Sequence, residues 1–234
     1  MKRIGIVGGL GPEATLYYYR TLLDLCYERK ELDGDYPEMI IYNLRIVECR
    51  HFMEQDRWSA FAEKIIRAFQ ALHHAGAEFG LIAANTPHLM FETIKEQSPM
   101  PLISIVEETC SAVEEKGLSN VGLIGTRFTM ESHFYSEVFH KRNISICVPQ
   151  AEDREYIYEK ITTELGVGIM REETRQGYLA IVKKMIDTEN IEGLILGCTE
   201  IPLLLTHDEF GIPFFDTSQI HARGALLYSM GEQR

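Results

Sequence analysis

The sequence has few cysteines, and nothing in their spacing predicts a disulfide framework or a zinc site. Its five cysteines are odd in number and widely scattered, and no two of them form a C-x-x-C pair. No apolar run approaches the length that spans a bilayer. The first residues enter an apolar strand pattern without the signature of a secretory leader. We therefore expect a cytoplasmic protein that does not bind membranes.

Positive charge is also scarce. The chain has 23 Lys and Arg against 35 Asp and Glu, which gives a net charge of −12. Binding to nucleic acid requires a basic surface, so we expect no nucleic-acid partner. An anionic small molecule would need arginines placed near its site. With 45% hydrophobic residues among 234, the chain is long enough to bury a large core.

Strand-like and helix-like patterns alternate along the chain, which predicts an α/β fold. We expect two similar three-layer α/β/α halves, each with a mostly parallel four-stranded sheet. The segment 45–55 is polar and irregular and is predicted to be a loop. The predicted strands cover residues 3–8, 39–43, 79–83, 102–105, 120–125, 144–148, 194–197 and 213–216.

Three pairs of similar segments suggest that the two halves arose by duplication. Ile4 aligns with Val121 at an offset of 117, Gly80 with Gly193 at 113, and Pro101 with Pro213 at 112. We expect a first half of residues 1–103 plus 217–234 and a second half of residues 104–216, related by a pseudo-twofold axis. Parallel sheets bind ligands at the carboxyl ends of their strands, so the predicted active site is the crevice between the halves.

The most informative stretch is residues 193–202. A short apolar run ends at Gly197, and Cys198 follows at a predicted strand-to-helix turn. Because helix N-termini stabilise anions, a thiol there is expected to favour its reactive thiolate. The alternative is that Cys198 is simply a small buried residue, as free cysteines often are.

Polar groups that suit a carboxylate ligand follow several other predicted strands. Arg50, and with it Arg45, lies after the second strand, where a guanidinium can meet a side-chain carboxylate. The remaining candidate binding residues are Gly9, Leu10, Asn85, Thr86, Thr126, Arg127, Thr129 and Thr199.

Together these segments resemble the PLP-independent aspartate/glutamate racemases of the Asp/Glu/hydantoin racemase superfamily over almost the whole chain. Cys-Thr-Glu is similar to the aspartate racemase branch, whereas glutamate racemases of cell-wall synthesis typically carry Cys-Thr-His. The matching motifs are Gly8-Gly-Leu-Gly-Pro-Glu-Ala-Thr15, Asn85-Thr86-x-His88, Gly125-Thr126-Arg127-x-Thr129-Met130, Gly197-Cys-Thr-Glu-Ile-Pro202 and Asp216-Thr217-x-x-x-His221.

The resemblance implies an amino-acid substrate, a homodimer, and chemistry without cofactor or metal. In such racemases two cysteines face opposite sides of the α-carbon; one removes the proton and the other returns one. Cys198 would be one of the two, assisted by Thr199 and Glu200. Most of the family has Cys-Asn-Thr where this chain has Ala84-Asn85-Thr86. We therefore expect reduced or one-sided racemase activity.

Two other functions stay open. One is a one-faced proton-transfer enzyme, such as a decarboxylase or lyase, and the other is a non-catalytic amino-acid binder. His88 is the nearest titratable candidate to replace the missing thiol, although we do not expect it to do so. Aspartate-specific members tend to have a lysine where this chain has Gly166, which leaves the choice of amino acid open. A dinucleotide site after the first strand is disfavoured, because the second strand ends in Asn43 rather than in an acid.

Overall fold

The computed structural model describes residues 1–232, and the chain divides into two compact units. The first unit comprises Met1–Ile105 together with the chain from Ser218 onward, and the second comprises Val106–Thr217. The sequence-based boundaries lie one or two residues earlier. Residues 233 and 234, the end of the predicted first half, lie outside the described residues.

Strands and helices alternate through the described chain. The strands are β1 Ile4–Gly8, β2 Met39–Asn43, β3 Phe79–Ile82, β4 Asn120–Gly125, β5 Ser145–Cys147, β6 Gly193–Gly197 and β7 Phe214–Asp216. The helices are α1 Pro12–Glu28, α2 Ile46–Glu54, α3 Trp58–His74, α4 Phe91–Gln97, α5 Ile105–Glu115, α6 Arg127–Glu131, α7 Phe134–His140, α8 Ala151–Thr163, α9 Glu172–Glu189 and α10 Thr217–Met230. Short 3-10 turns occupy Lys30–Leu32, Thr86–Met90, Leu165–Val167 and Ile201–Leu203.

Each unit contains one parallel sheet, which confirms the predicted fold class. The first sheet has the order β2-β1-β3 and the second has the order β5-β4-β6-β7. The central strands β1 and β6 are buried along their whole length. Such near-continuous apolar runs are typical of parallel strands that are covered on both faces.

The first sheet has three strands, so the prediction of a fourth strand at residues 102–105 is wrong. Only an isolated bridge joins Gly80 to Leu102. The Gly80 amide donates to the Pro101 carbonyl at 2.9 Å, and the Ile103 amide donates to the Gly80 carbonyl at 3.0 Å. The extended segment is then cut short, because α5 begins at Ile105.

The two units repeat one strand order, with β2-β1-β3 matching β5-β4-β6. The pairing register corrects one of the proposed alignments. Ile4 pairs with Phe79, and Val121, the counterpart of Ile4, pairs with Gly193. The counterpart of Gly193 is therefore Phe79, at an offset of 114, and not Gly80. Gly-Leu-Ile occurs in both segments, but hydrogen-bond register decides which residues are equivalent.

Residues 45–55 contain helix α2, so the predicted loop is wrong. Cys49 is fully buried within the apolar cluster of the first unit, and Phe52 and Met53 pack against that cluster. The apolar stripe of this helix is narrow and is flanked by charged residues. For this reason the sequence pattern did not indicate a helix.

The cores form where the apolar faces of the helices meet the sheets. In α3 the predicted face is confirmed as buried: Phe61, Ile65, Ala68, Phe69 and Leu72. They share a cluster with Val7 of β1 and Ile82 of β3. Proline suits the first position of a helix, and Pro12 occupies it in α1. Within residues 1–232, every helix is too short or too polar to cross a bilayer.

Gly9 is the residue of the first turn that tolerates substitution least. Its φ is +78°, and an added Cβ would lie 2.2 Å from the Leu44 carbonyl oxygen. Gly34 in the same unit has a φ of +81° but nothing within 4 Å of an added Cβ. We predict that Gly34→Ala costs about 1–2 kcal/mol of left-handed backbone strain. Gly9→Ala should cost at least about 2 kcal/mol more, because the collision is with backbone.

Urea unfolding followed by the fluorescence of Trp58, the single tryptophan, measures both losses in the first unit. Equal losses in the two variants would contradict the close approach of Gly9 to Leu44.

Candidate active site

The end of β6 places a thiol against a carboxylate. The Cys198 thiol donates to Glu200 Oε2 at 2.9 Å, and the Thr199 hydroxyl donates to the same oxygen at 2.9 Å. Exposed fractions are only 6% for Cys198 and 7% for Glu200. A buried carboxylate is costly without hydrogen bonds, and these two donors supply them. The structure thus brings all three predicted residues of this turn together.

The surroundings of Cys198 favour its thiol form. Burial, followed by the Glu200 carboxylate, raises the pKa of the Cys198 thiol well above its usual value. The backbone N–H groups of Glu200 and Thr199 face the sulfur and lower this pKa by a smaller amount. The expected bias toward thiolate is therefore wrong. The 3-10 turn that follows is only three residues long, and backbone N–H groups lower the pKa of Cys198 by less than burial and Glu200 raise it.

The neighbouring strand β4 ends beside β6, with Gly125 paired to Gly197. An added Cβ at either glycine would lie within 3.2 Å of the Thr129 methyl group, so this methyl fills the notch between the two strand ends. Thr129 is fully buried, and its hydroxyl lies 3.1 Å from that of Thr126. Thr126 also caps α6 by accepting the Thr129 N–H. The Thr129 side chain thus packs against the ends of both β4 and β6.

Arg127 is exposed and is held by aromatic rings. Its guanidinium carbon lies 5.3 Å from the ring centre of Tyr158 and 5.8 Å from that of Phe128. Stacked arginines keep their charge and their hydrogen-bond donors available at the rim of the ring.

In the first unit, the turn after β1 is closed by Thr15. The Gly9 N–H donates to the Thr15 hydroxyl at 2.8 Å, and this hydroxyl donates to the Gly11 carbonyl at 3.2 Å. The Gly9 N–H is therefore already used within the turn. Leu10 is half-buried and packs on the apolar cluster of this unit.

The end of β3 lies beside the end of β1, because the Ala83 N–H donates to the Val7 carbonyl at 2.9 Å. Ala84 is half-buried, Asn85 is buried, and Thr86 opens a 3-10 turn. The structure therefore brings Ala84, Asn85 and Thr86 to the same edge of the sheet as the turn after β1.

The arginines predicted for this unit lie on another element. Arg45 precedes α2 and Arg50 lies within it, and both are exposed. Their contact with a substrate stays a prediction.

His88 cannot replace the missing thiol in its present setting. Both of its ring nitrogens are hydrogen-bonded, one to the Ala84 carbonyl and one to the Ile105 amide. Burial lowers its pKa to about 3, and burial likewise lowers the pKa of His221 to about 4. Both histidines are therefore neutral near pH 7.

Two supporting residues of the second unit were not predicted from the sequence. The Thr217 hydroxyl donates to the Leu196 carbonyl at 2.9 Å, two residues before Cys198. Tyr178 is fully buried in the same apolar cluster as Cys198, and its hydroxyl donates to the Ile157 carbonyl. Thr217 lies in the last matched motif, which was a usable signal, whereas nothing in the sequence marked Tyr178.

The five cysteines are free thiols. Within residues 1–232, no group of three or more His, Cys, Asp or Glu side chains has an arrangement suited to a metal ion. What the site of the second unit offers chemically is proton transfer between a thiol and a carboxylate.

The chain is similar to known racemases in sequence. A family model described as Asp/Glu/hydantoin racemase matches residues 7–225. A broad specificity amino-acid racemase of Bacillus subtilis, RacX, is 25% identical over 230 residues, covering 95% of this chain and 96% of its own.

Two solved structures share the fold. One is an aspartate racemase homologue from Pyrococcus horikoshii OT3, which is 34% identical with a TM-score of 0.83 and covers 98% of this chain and 100% of its own. The other is the aspartate racemase of Picrophilus torridus, with 24% identity and a TM-score of 0.79 over 100% of this chain and 96% of its own. At that lower identity, the second comparison supports the fold alone.

We predict that Glu200→Gln makes Cys198 more acidic. The substitution removes the carboxylate charge that raises the pKa of the thiol, while burial still holds this pKa above its usual value. The measurement is the pH dependence of alkylation by iodoacetamide, read at the Cys198 peptide by mass spectrometry. Its midpoint should move to lower pH in the variant.

Glu189→Gln is the matched control. Glu189 raises the pKa of Cys147 in the same unit, after burial, so this variant should move Cys147 and leave Cys198 unchanged. A Cys198 midpoint that is the same in wild type and Glu200→Gln would contradict the thiol–carboxylate contact.

Proposed function

Since the chain belongs to the Asp/Glu/hydantoin racemase family, we propose that it is an amino-acid racemase of the aspartate/glutamate type that uses Cys198 to transfer the α-proton. The observation that carries this proposal is the hydrogen bond from the Cys198 thiol to the buried Glu200 carboxylate. This hydrogen bond pairs the sulfur of Cys198, which is nucleophilic once deprotonated, with a base that can accept its proton.

The proposed chemistry begins within this pair. The Cys198 proton moves to the Glu200 carboxylate, and the resulting thiolate takes the α-proton of the substrate. The electron pair of the broken C–H bond remains on the substrate as an enolate delocalised into its carboxylate. Return of the proton from the Cys198 thiol to the same face regenerates the original enantiomer. The steps need a thiol, a carboxylate and solvent, and no cofactor.

Inversion requires a proton from the opposite face. By the family resemblance, the position of the second cysteine is Ala84 in this chain, and alanine has no proton to give. We propose that solvent water supplies this proton slowly, and that the hydroxide formed is neutralised by the extra proton of the Cys198–Glu200 pair. Exchange of the α-proton should therefore be faster than inversion.

The proposal assigns the predicted binding residues two kinds of role. Asn85, Thr86, Leu10, Thr126 and Thr199 are proposed to bind the α-carboxylate and amine through side-chain or backbone groups, and Arg50 and Arg127 to meet a side-chain carboxylate. Gly9 and Thr129 are proposed to hold the strand ends, because the Gly9 N–H is already bonded within its own turn and the Thr129 side chain is fully buried with its methyl group against Gly125 and Gly197.

The choice of acidic amino acids rests on the names of the relatives. One is described as an aspartate racemase homologue, and RacX is described as having broad specificity. Aspartate and glutamate are therefore the first substrates to test. The homodimer is part of the proposal and is supported by the family resemblance.

We predict that wild-type protein in deuterated water exchanges the α-proton of one enantiomer of aspartate or glutamate faster than it inverts it. Ala84→Cys should raise the inversion rate about 10²-fold or more, the usual contribution of a positioned general acid. Proton NMR measures exchange, and chiral chromatography measures inversion.

Ala84→Ser is the matched control, since its hydroxyl has nearly the size of the thiol but is far less acidic; it should stay close to wild type. Cys198→Ala should abolish both exchange and inversion. The proposal fails if neither wild type nor Ala84→Cys deuterates any enantiomer, or if exchange survives Cys198→Ala.

A further inference from the structure

Two buried histidines of the first unit lie against the turn that follows β3. His88 is 3% exposed, stacks on Phe91 with ring centres 4.8 Å apart, and lies edge-on to His221 at 6.2 Å. His221, from α10, is fully buried and meets the Tyr18 ring edge-on at 5.8 Å. Four elements, namely the 3-10 turn that contains His88 and the helices α4, α10 and α1, thus converge on one small cluster.

The partners of His88 determine its tautomer. The Ile105 backbone N–H can only donate, and it lies 3.2 Å from His88 Nε2, so Nε2 carries no proton. The Ala84 carbonyl can only accept, and it lies 3.1 Å from His88 Nδ1, so Nδ1 carries the proton. His88 therefore bridges the turn after β3 to the start of α5.

The partners of His221 determine the opposite tautomer. The Ile103 carbonyl lies 3.0 Å from His221 Nε2, so Nε2 is the protonated nitrogen. His221 Nδ1 is then left to accept the Tyr18 hydroxyl at 2.9 Å. Together the two rings fix a carbonyl at Ile103 and an N–H at Ile105, two residues apart on one segment.

We propose that His88 and His221, locked in opposite neutral tautomers, are positioning residues that hold the turn Ala84–Thr86 against the segment 103–105. Their relevance to catalysis rests on the proposed function, in which Asn85 and Thr86 bind substrate. His88 is the residue that reaches this turn directly, and His221 with Tyr18 fixes the segment to which His88 is anchored.

The neutral state of both rings is consistent with this role. Burial lowers the pKa of His88 to about 3, with His221 as a secondary cause, and burial lowers that of His221 to about 4. A second proton on His88 would have to point at the Ile105 N–H, where no acceptor exists. The positioning role therefore uses both nitrogens and leaves none for substrate chemistry.

The tautomers can be measured without any activity assay. Nitrogen-15 NMR of the wild-type chain with labelled histidine should show His88 protonated at Nδ1 and His221 protonated at Nε2, with neither titrating between pH 8 and pH 5.5. A protonated ring, or the opposite tautomer at either residue, would overturn the proposal whether or not the protein proves to be a racemase.

Two substitutions separate the two hydrogen bonds of His88. In His88→Asn the amide can replace Nδ1 and keep the Ala84 bond, whereas in His88→Gln the amide oxygen can replace Nε2 and keep the Ile105 bond. Because the bridge needs both bonds, we expect KM for the amino acid to rise about tenfold in either variant, with kcat within about twofold of wild type, since His88 acts on substrate binding alone.

The exposed His74 of α3 provides the control, and its Asn and Gln variants should leave KM unchanged. If KM stayed at the wild-type value in either folded variant, or if kcat fell together with the rise in KM, the positioning proposal would be wrong. If one variant does not fold, the amide shifts of Asn85 and Thr86 in the other decide: they should differ from those of the wild type. An inactive wild type with the expected tautomers would reject the racemase assignment alone.

Discussion

The hydrogen bond between the Cys198 thiol and the Glu200 carboxylate is the interaction on which the proposed chemistry of this protein depends. Burial alone would make either group inert, since a buried thiol resists ionisation and a buried carboxylate needs donors. The 2.9 Å bond gives the buried carboxylate a donor and gives the thiol a proton acceptor at close range. Two contacts fix the strand that carries this pair. The Thr129 methyl packs against Gly125 and Gly197, and the Thr217 hydroxyl donates to the Leu196 carbonyl.

The repeated strand order shows how the corresponding turns of the two units differ. With the offset of 114 given by strand register, Ala84 is the counterpart of Cys198, and Thr86 is the counterpart of Glu200. The first unit therefore lacks both the thiol and its carboxylate, although its turn runs into a 3-10 turn in the same way. Its carbonyl at Ala84 is held instead by His88. The two units have kept one backbone plan while only the second keeps a thiol–carboxylate pair.

Much of the fold could be predicted because parallel strands are buried apolar runs, and β1, β3, β4 and β6 follow such runs. The number of strands in the first sheet could not, since it depends on where α5 begins. Helix α2 was hidden because tertiary contacts bury its narrow stripe around Cys49. The motif of the site predicted that Cys198 and Glu200 would act together. The protonation state of Cys198 could not be predicted, because it depends on burial and on the distance between the two side chains.

The state of the Cys198 proton can be observed directly by infrared spectroscopy. A difference spectrum between wild type and Cys198→Ser isolates the S–H stretching band of this residue at neutral pH. We predict that the band is present and lies at lower frequency than the bands of the other buried thiols, and that Glu200→Gln removes the displacement. Absence of an S–H band from Cys198 would mean a resting thiolate, and an undisplaced band would mean no bond to Glu200. Either result would contradict a resting thiol that is hydrogen-bonded to its own base.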